Sequence, residues 1–425
     1  MSRTQWILAA LVAGVLAGMG VRWLDQPVLT GIATAAMPIG QMWVRALQMT
    51  LIPLIFAMMT HGVAQAVMGG RGGRLISTTL GVFFGIMVVT VILCTILTET
   101  VLRIWPLPAH ALDSLLGSAA PQPLPGFAEQ LVAIVPDNPV AAAAQGQIFP
   151  LVIFALGFGL ALARLPRAAD GGEPVVLRGL AEVAQAMMVL VDWVLVAAPP
   201  GIFLLSLGLG MASGVGVAQV LGVFVALCFA TTLLMAALCY VVVALAGGMP
   251  LREFAAAIAP AQAMGAGSCS SMATTPVMIE VALERLRLPE DVVGLVIPMA
   301  VSIFRLGTTA HAVAAVLVAA HAVGIEPGPV QLVLAGLAVI LGSVSGAGLP
   351  GAAVIYAIYG PGLQVLGAPM AMIPLYLAVI ALPDPVITGT TVTGDLTAAV
   401  LINRLLGRRT GAVSRSDGRA SSDPT

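Results

Sequence analysis

Long apolar runs joined by short polar stretches dominate the chain. A helix crosses the hydrocarbon core of a bilayer with about 20 such residues. The runs Ile7–Val21, Ala36–Val67, Leu75–Leu102, Ala141–Ala163, Val183–Gly208 and Val217–Ala246 therefore predict six crossing helices. Pro106–Val135, rich in proline and small residues, predicts an external loop, and Arg164–Arg178 a polar linker. The pattern then changes. Phe254–Leu283 and Pro329–Leu366 are apolar, but glycine, serine and proline interrupt each of them midway. A helix at about Val292–Val323 lies between them, and a last span runs from about Met372 to Leu406. The Arg-, Ser-, Asp- and Gly-rich residues after it predict a disordered tail.

Composition narrows the class. Hydrophobic residues make up 59% of the 425 and charged ones only 9%, against about 25% charged in a soluble domain, so a soluble enzyme is excluded. Apolar runs that do not alternate argue for membrane helices and against an outer-membrane barrel. A net charge of −1 leaves no basic footprint for nucleic acid. Cys94, Cys228, Cys239 and Cys269 form no C-x-x-C pair, and the first three read as small core hydrophobes. The N-terminal run has the length of a signal peptide, but more membrane sequence follows and it reads as the first span.

Every basic residue is an arginine, and their placement orients the chain. Arg3, then Arg71 and Arg74, then Arg164, Arg167 and Arg178 lie at alternate span ends, as do Arg252, Arg285, Arg287, Arg404, Arg408 and Arg409. Arg22 and Arg103 fall on the opposite side. The stretches near Gly210–Gly216, His321–Pro329 and Gly360–Gly367 contain none. This is consistent if each interrupted segment enters and leaves on one side, Phe254–Leu283 from the cytoplasm and Pro329–Leu366 from outside. Both termini are then cytoplasmic. Two re-entrant hairpins of opposite orientation predict an inverted-repeat transporter of the cytoplasmic membrane.

Non-helical backbone at membrane depth survives only where protein or a water-filled cavity satisfies it. The first interruption, Gly265–Pro276, carries Ser268, Cys269, Ser270 and Ser271 in a row; the second is Gly342–Gly351. Small residues also serve tight helix packing, but four adjacent hydroxyl or thiol groups exceed what packing requires. Ionisable residues inside apolar runs are few, and each costs roughly 2.5–3.5 kcal/mol on insertion scales unless it is paired. Asp384 and Asp395 fall in the last span and Arg305 in the helix between the hairpins. Arg45 reads as a snorkelling side chain, Asp192 as a helix–helix or interfacial group, and Glu280 as part of a charged cluster at a hairpin end. His61, His110, His311 and His321 are scattered and none adjoins the serine tip, so no hydrolytic triad is predicted.

These residues resemble the dicarboxylate/amino acid:cation symporters. The likeness rests on Leu47-Gln48-Met49 with Pro53-Leu54-Ile55-Phe56, on Ile134–Pro139, and on Ala198-Pro199-Pro200-Gly201-Ile202-Phe203. It continues through the serine-rich tip, Ala347-Gly348-Leu349-Pro350-Gly351 and Val392-Thr393-Gly394-Asp395-Leu396. Each motif is weak alone, and their order and spacing together are specific. The resemblance implies eight transmembrane helices and two inverted re-entrant hairpins, a homotrimer and an elevator mechanism. It divides the chain into scaffold helices at 1–70, a transport-domain helix at 71–103, an external loop and further scaffold helices at 104–210, a transport core at 211–406 and a cytoplasmic tail at 407–425. It implicates Ser270, Ser271, Thr308, Ser345, Gly346, Ala347, Gly348, Pro350, Asp384, Thr388 and Thr391 in substrate binding, with Asp384 taking an α-amino group; Arg305, which the family pattern lacks, joins them as a group that could itself reach a carboxylate.

The departures from the family pattern set the functional expectation. The arginine that acidic-substrate carriers use would fall at Ile387 or Cys269, and neither is basic. The family's Asn-Met-Asp-Gly-Thr is here Phe304-Arg305-Leu306-Gly307-Thr308, its eighth-span asparagine is Thr391, and a polar pair in the third span is Ile86-Met87. Sodium requires oxygen ligands, and several side-chain oxygens are gone. The expectation is a secondary transporter, not an enzyme, for a small amino acid or dicarboxylate. It has no cofactor, sodium sites that are degraded, Arg305 in place of a coupling cation, and Asp395 as a residual cation or proton site. The alternatives are a C4-dicarboxylate carrier with Arg305 as carboxylate anchor, or an anion channel or sensor on the same scaffold.

Overall fold

The computed structural model describes residues 3–68, 73–107, 132, 135–145, 147–166, 174–345 and 352–407. Among them every regular element is a helix. The first three are α1 (Arg3–Leu24), α2 (Pro27–Met68) and α3 (Gly73–Ile104), each containing its predicted span. Most of the expected external loop, and the tail beyond residue 407, lie outside the described residues.

The span predicted at Ala141–Ala163 is two helices, α4 (Pro139–Ala144) and α5 (Ile148–Leu162). Asn138 caps α4, its side-chain oxygen accepting from the N–H groups of Val140 and Ala141 at 3.0 and 3.1 Å. The polar run around Gln145 and Gln147 separates the pair. A larger correction follows. The expected break at Gly210–Gly216 is absent, and the chain breaks instead at Ala197, between α6 (Val175–Val196) and α7 (Ala198–Val242). Pro199 and Pro200 explain the position. Proline is tolerated in a first helical turn but costs about 3 kcal/mol in an interior, against about 1 for glycine. The expected division of the chain at 210/211 therefore falls inside α7.

Hairpin one consists of α8 (Leu251–Ser268) and α9 (Ser271–Glu280), reached from α7 through the π-turn Val243–Gly247. The helix predicted at Val292–Val323 is interrupted. It comprises α10 (Glu290–Met299), a π-turn at Ala300–Phe304, a left-handed Arg305, and α11 (Leu306–Ala322). Hairpin two has arms α12 (Pro329–Ser345) and α13 (Ala352–Leu366). The last span is also divided, into α14 (Met372–Val379) and α15 (Asp384–Leu405), where Pro383 and Pro385 remove two backbone donors. Four stretches among the described residues are long and apolar enough to cross a membrane: Arg74–Ile104, Gly216–Gly247, Glu290–Ala322 and Asp384–Leu405.

α11 is the centre of the molecule. Every residue from Leu306 to Ala320 is buried, against α3, α7, α13 and α15. Lipid is as apolar as leucine, so close packing must hold these helices together, and small side chains permit it. α11 is accordingly rich in alanine. The first half of α7 packs on α1 through Gly14, Gly18 and Gly210, and its second half joins the core around α11 and α15.

Candidate functional site

Three backbone interruptions converge on the first turns of α15. The first is the tip of hairpin one. Cys269 closes α8 in the left-handed region (φ 50°, ψ 32°), and Ser270 is extended and caps α9, its Oγ accepting from Ala273 N–H at 3.2 Å. Thr274 donates its hydroxyl to the Ser270 carbonyl at 2.8 Å. Ser271, in the first turn of α9, is half-buried.

The second is Arg305. A π-turn widens the helix before it, and its own φ of 40° turns the chain into α11. Such turns and left-handed residues recur at functional sites. Phe304 is fully buried and stacks on Phe83 of α3, ring centroids 4.7 Å apart, which anchors one side of the break. Gly307 anchors the other, since a methyl group there would lie 2.2 Å from the Ile387 carbonyl oxygen and 2.8 Å from Thr391 Oγ1.

The third is the start of α15 itself. Asp384 occupies its first turn, beside Thr388 one turn on and within electrostatic reach of Cys269, whose thiol donates to the Ala266 carbonyl at 3.6 Å. The guanidinium of Arg305 interacts electrostatically with both Asp384 and Asp395. Asp395 is 0% exposed, and among the described residues neither of its carboxylate oxygens accepts a hydrogen bond. A fully buried carboxylate without hydrogen bonds needs a charge nearby, and Arg305 supplies one.

Of the residues singled out in the sequence, Ser270, Ser271, Arg305, Thr308, Asp384, Thr388, Thr391 and Asp395 lie on these three elements. Thr391 donates to the Ile387 carbonyl at 3.0 Å, and Thr308 is almost fully buried. Ser345 ends α12, and Gly346, Ala347, Gly348 and Pro350 lie outside the described residues. Ile86 and Met87 lie in α3, Met87 buried and Ile86 half-buried. Arg45 and Glu280 are exposed and take no part.

Two polar contacts escaped the sequence reading, and His311 was considered there only as a member of a hydrolytic triad. Gln262 of α8 donates to Thr393 Oγ1 at 2.7 Å and lies 2.9 Å from the Tyr240 hydroxyl. Thr309 donates to Ser343 Oγ at 3.0 Å, joining α11 to hairpin two. His311 bonds through Nδ1 to the Gly307 carbonyl at 2.9 Å and meets Tyr359 of α13 edge-on. A glutamine and a histidine inside apolar helices were the available signals, because a buried polar side chain must find a partner.

Residues 4–405 match the sodium:dicarboxylate symporter family over nearly the whole chain. The chain belongs to that family. It is 30% identical to a C4-dicarboxylate transport protein of Rhodospirillum rubrum over 87% of this chain and 78% of the relative. It is 28% identical to one of Azorhizobium caulinodans, with the same coverage. A proton/sodium-glutamate symport protein of Bacillus subtilis is 25% identical over 94% of this chain and 91% of its own length. Membership makes the chain a multi-pass membrane transporter for a small solute, and not an enzyme.

Proposed function

We propose that this transporter carries a small zwitterionic amino acid without sodium, and that Asp384 holds the ammonium group of the substrate. The observation that carries the reading is one arginine, at a break in its helix, set in the field of two carboxylates of α15. Arg305 has two carboxylates in its field, so no cation is left over for a second carboxylate of a substrate. A dianion entering the site meets the carboxylate of Asp384 with no further cation to receive it, whereas an ammonium group finds in Asp384 a partner of opposite charge. Ile387 and Cys269, where the family resemblance places an arginine, offer no fork for a second carboxylate.

The sodium part follows from the same residues. Phe304 and Leu306 supply no side-chain oxygen, and the guanidinium lies in the field of Asp395. Arginine remains protonated in proteins, so this charge stays in place through a cycle. The residues present do not fit a sodium site at Asp395. The elevator division, with a scaffold at 1–70 and 104–210 and a moving core at 71–103 and 211–406, and assembly as a homotrimer belong to the same reading.

One observation favours a second reading, a C4-dicarboxylate carrier with Arg305 as anchor: the Rhodospirillum and Azorhizobium relatives carry that name. The test is uptake into proteoliposomes of labelled alanine, serine, aspartate and succinate, in sodium or choline, with and without a pH gradient. Uptake of a neutral amino acid that persists in choline is expected. Succinate as the preferred solute, or uptake that collapses in choline, overturns the proposal.

A further inference from the structure

α8 of hairpin one and α15 run past each other in opposite directions, and their contacts form a ladder. At one end Gln262 Nε2 donates to Thr393 Oγ1 at 2.7 Å. A turn further along, a methyl group at Gly265 would lie 2.8 Å from Val392 Cγ2, and Ala266 Cβ lies 4.0 Å from where a Gly389 side chain would begin. Towards the other end a Gly265 methyl group would lie 3.7 Å from Thr388 Cγ2, and Cys269 comes within electrostatic reach of Asp384. As α8 ascends through 262, 265, 266 and 269, its partners on α15 descend through 393, 392, 389 and 384.

The middle rungs are made of glycine, alanine and valine. Contacts of that kind do not distinguish a register from one displaced by a helical turn, about 5.4 Å, and packed helices do move past each other in such steps. The Gln262–Thr393 bond is directional. Thr393 donates its own proton to the Gly389 carbonyl at 2.7 Å, which leaves an oxygen lone pair for the amide. The other side of that amide is occupied by Tyr240 of α7, whose hydroxyl lies 3.1 Å from Gln262 Oε1. A displaced helix would leave a desolvated amide without these partners.

We infer that Gln262 is a positioning residue. It fixes the register of hairpin one on α15 and thereby holds the Ser268–Ser271 tip opposite Asp384 and Thr388. The consequence for binding rests on Asp384 being the substrate anchor; the register does not.

Cys269 is the exposed one of the four cysteines, so N-ethylmaleimide labelling of the purified full chain reports on the tip with no substrate present. Gln262→Leu and Thr393→Val remove the same contact, and Thr393→Ser keeps it. Labelling is expected to accelerate several-fold in each of the first two, no further in their double variant, and not at all in Thr393→Ser. For whichever of the labelled amino acids in the panel is carried, KM is expected to rise about tenfold with kcat within about twofold, the effect of one lost hydrogen bond. If Gln262→Leu fails to fold, Thr393→Val set against Thr393→Ser decides the matter. Unchanged labelling in the folded variants, or additive effects, overturns the inference. Accelerated labelling in a protein whose amino acid uptake survives Asp384→Asn would uphold the register and remove the substrate reading.

Discussion

Gly307 and the backbone carbonyl of Ile387 meet with no room for a side chain between them. This contact seats the break at Arg305 against the first turn of α15, and both carboxylates of the site lie on that helix. Gly307→Ala should therefore displace α11 from α15. Overpacking of this kind costs typically 1–3 kcal/mol, and more where the obstacle is backbone. A lower Tm in detergent and loss of uptake are expected. Gly81→Ala in the interior of α3, where nothing lies within 4 Å, should not lower Tm and should raise it slightly, since glycine costs a helix interior about 1 kcal/mol against alanine. Equal Tm values for the two variants would contradict the packing.

Asp384→Asn keeps the shape of the side chain and removes its charge. Uptake of a neutral amino acid should fall roughly a hundredfold or more, since a site built around a charged hydrogen bond rejects a mismatched partner strongly. Thr388→Val removes the hydroxyl that lies one turn beyond Asp384 and interacts with it, and should lose about tenfold. Both are read as initial uptake rates at equal protein in the membrane.

Arg305→Met leaves Asp395 buried without its cation. A fully buried carboxyl group then has no cation within electrostatic reach among the described residues, so this variant should be less stable than wild type. Adding Asp395→Asn removes the stranded carboxylate, and most of the lost stability should return. Thermal melts of the single and double variants check this. A double variant no more stable than Arg305→Met would show that the two groups do not compensate each other.

Thr309→Val strands the Ser343 hydroxyl, which is fully buried and receives the threonine proton. An orphaned buried polar group costs about 1–3 kcal/mol. Adding Ser343→Ala removes the orphan and should recover part of that stability. The double-mutant cycle in Tm measures how firmly hairpin two is fastened to α11.

The sequence was most informative where chain breaks are made by residues that dislike helices. The turn between Ser268 and Ser271 was visible because serine caps and small residues announce it. The break at Arg305 was not, because Phe304, Arg305 and Leu306 are all acceptable helix residues. Only packing, with Phe304 held by Phe83 and Gly307 held by Ile387, turns the chain there. At Gly210–Gly216 the reverse happened. Glycines that look like a loop are accommodated in α7, and Pro199-Pro200 governs the boundary. The candidate site was readable as residue types and not as a register. Which turn of α8 faces which turn of α15 depends on Gln262, whose spacing in the sequence carries no trace of Thr393.

α7 has a mechanical consequence. Its 45 residues, at 1.5 Å each, make a rod about 68 Å long, more than twice the thickness of the hydrocarbon core. No tilt within the usual range of 0–40° can place all of it in lipid. One arm of the rod is fastened to α1 and the other to the buried centre around α11, so the two bodies share a single lever. Any shift of the centre relative to α1 must either swing α1 with it or bend the rod. The stretch Gly208–Gly216, with four glycines and a Ser213-Gly214 pair, lies between the two arms, and glycine–serine pairs are among the places where helices bend.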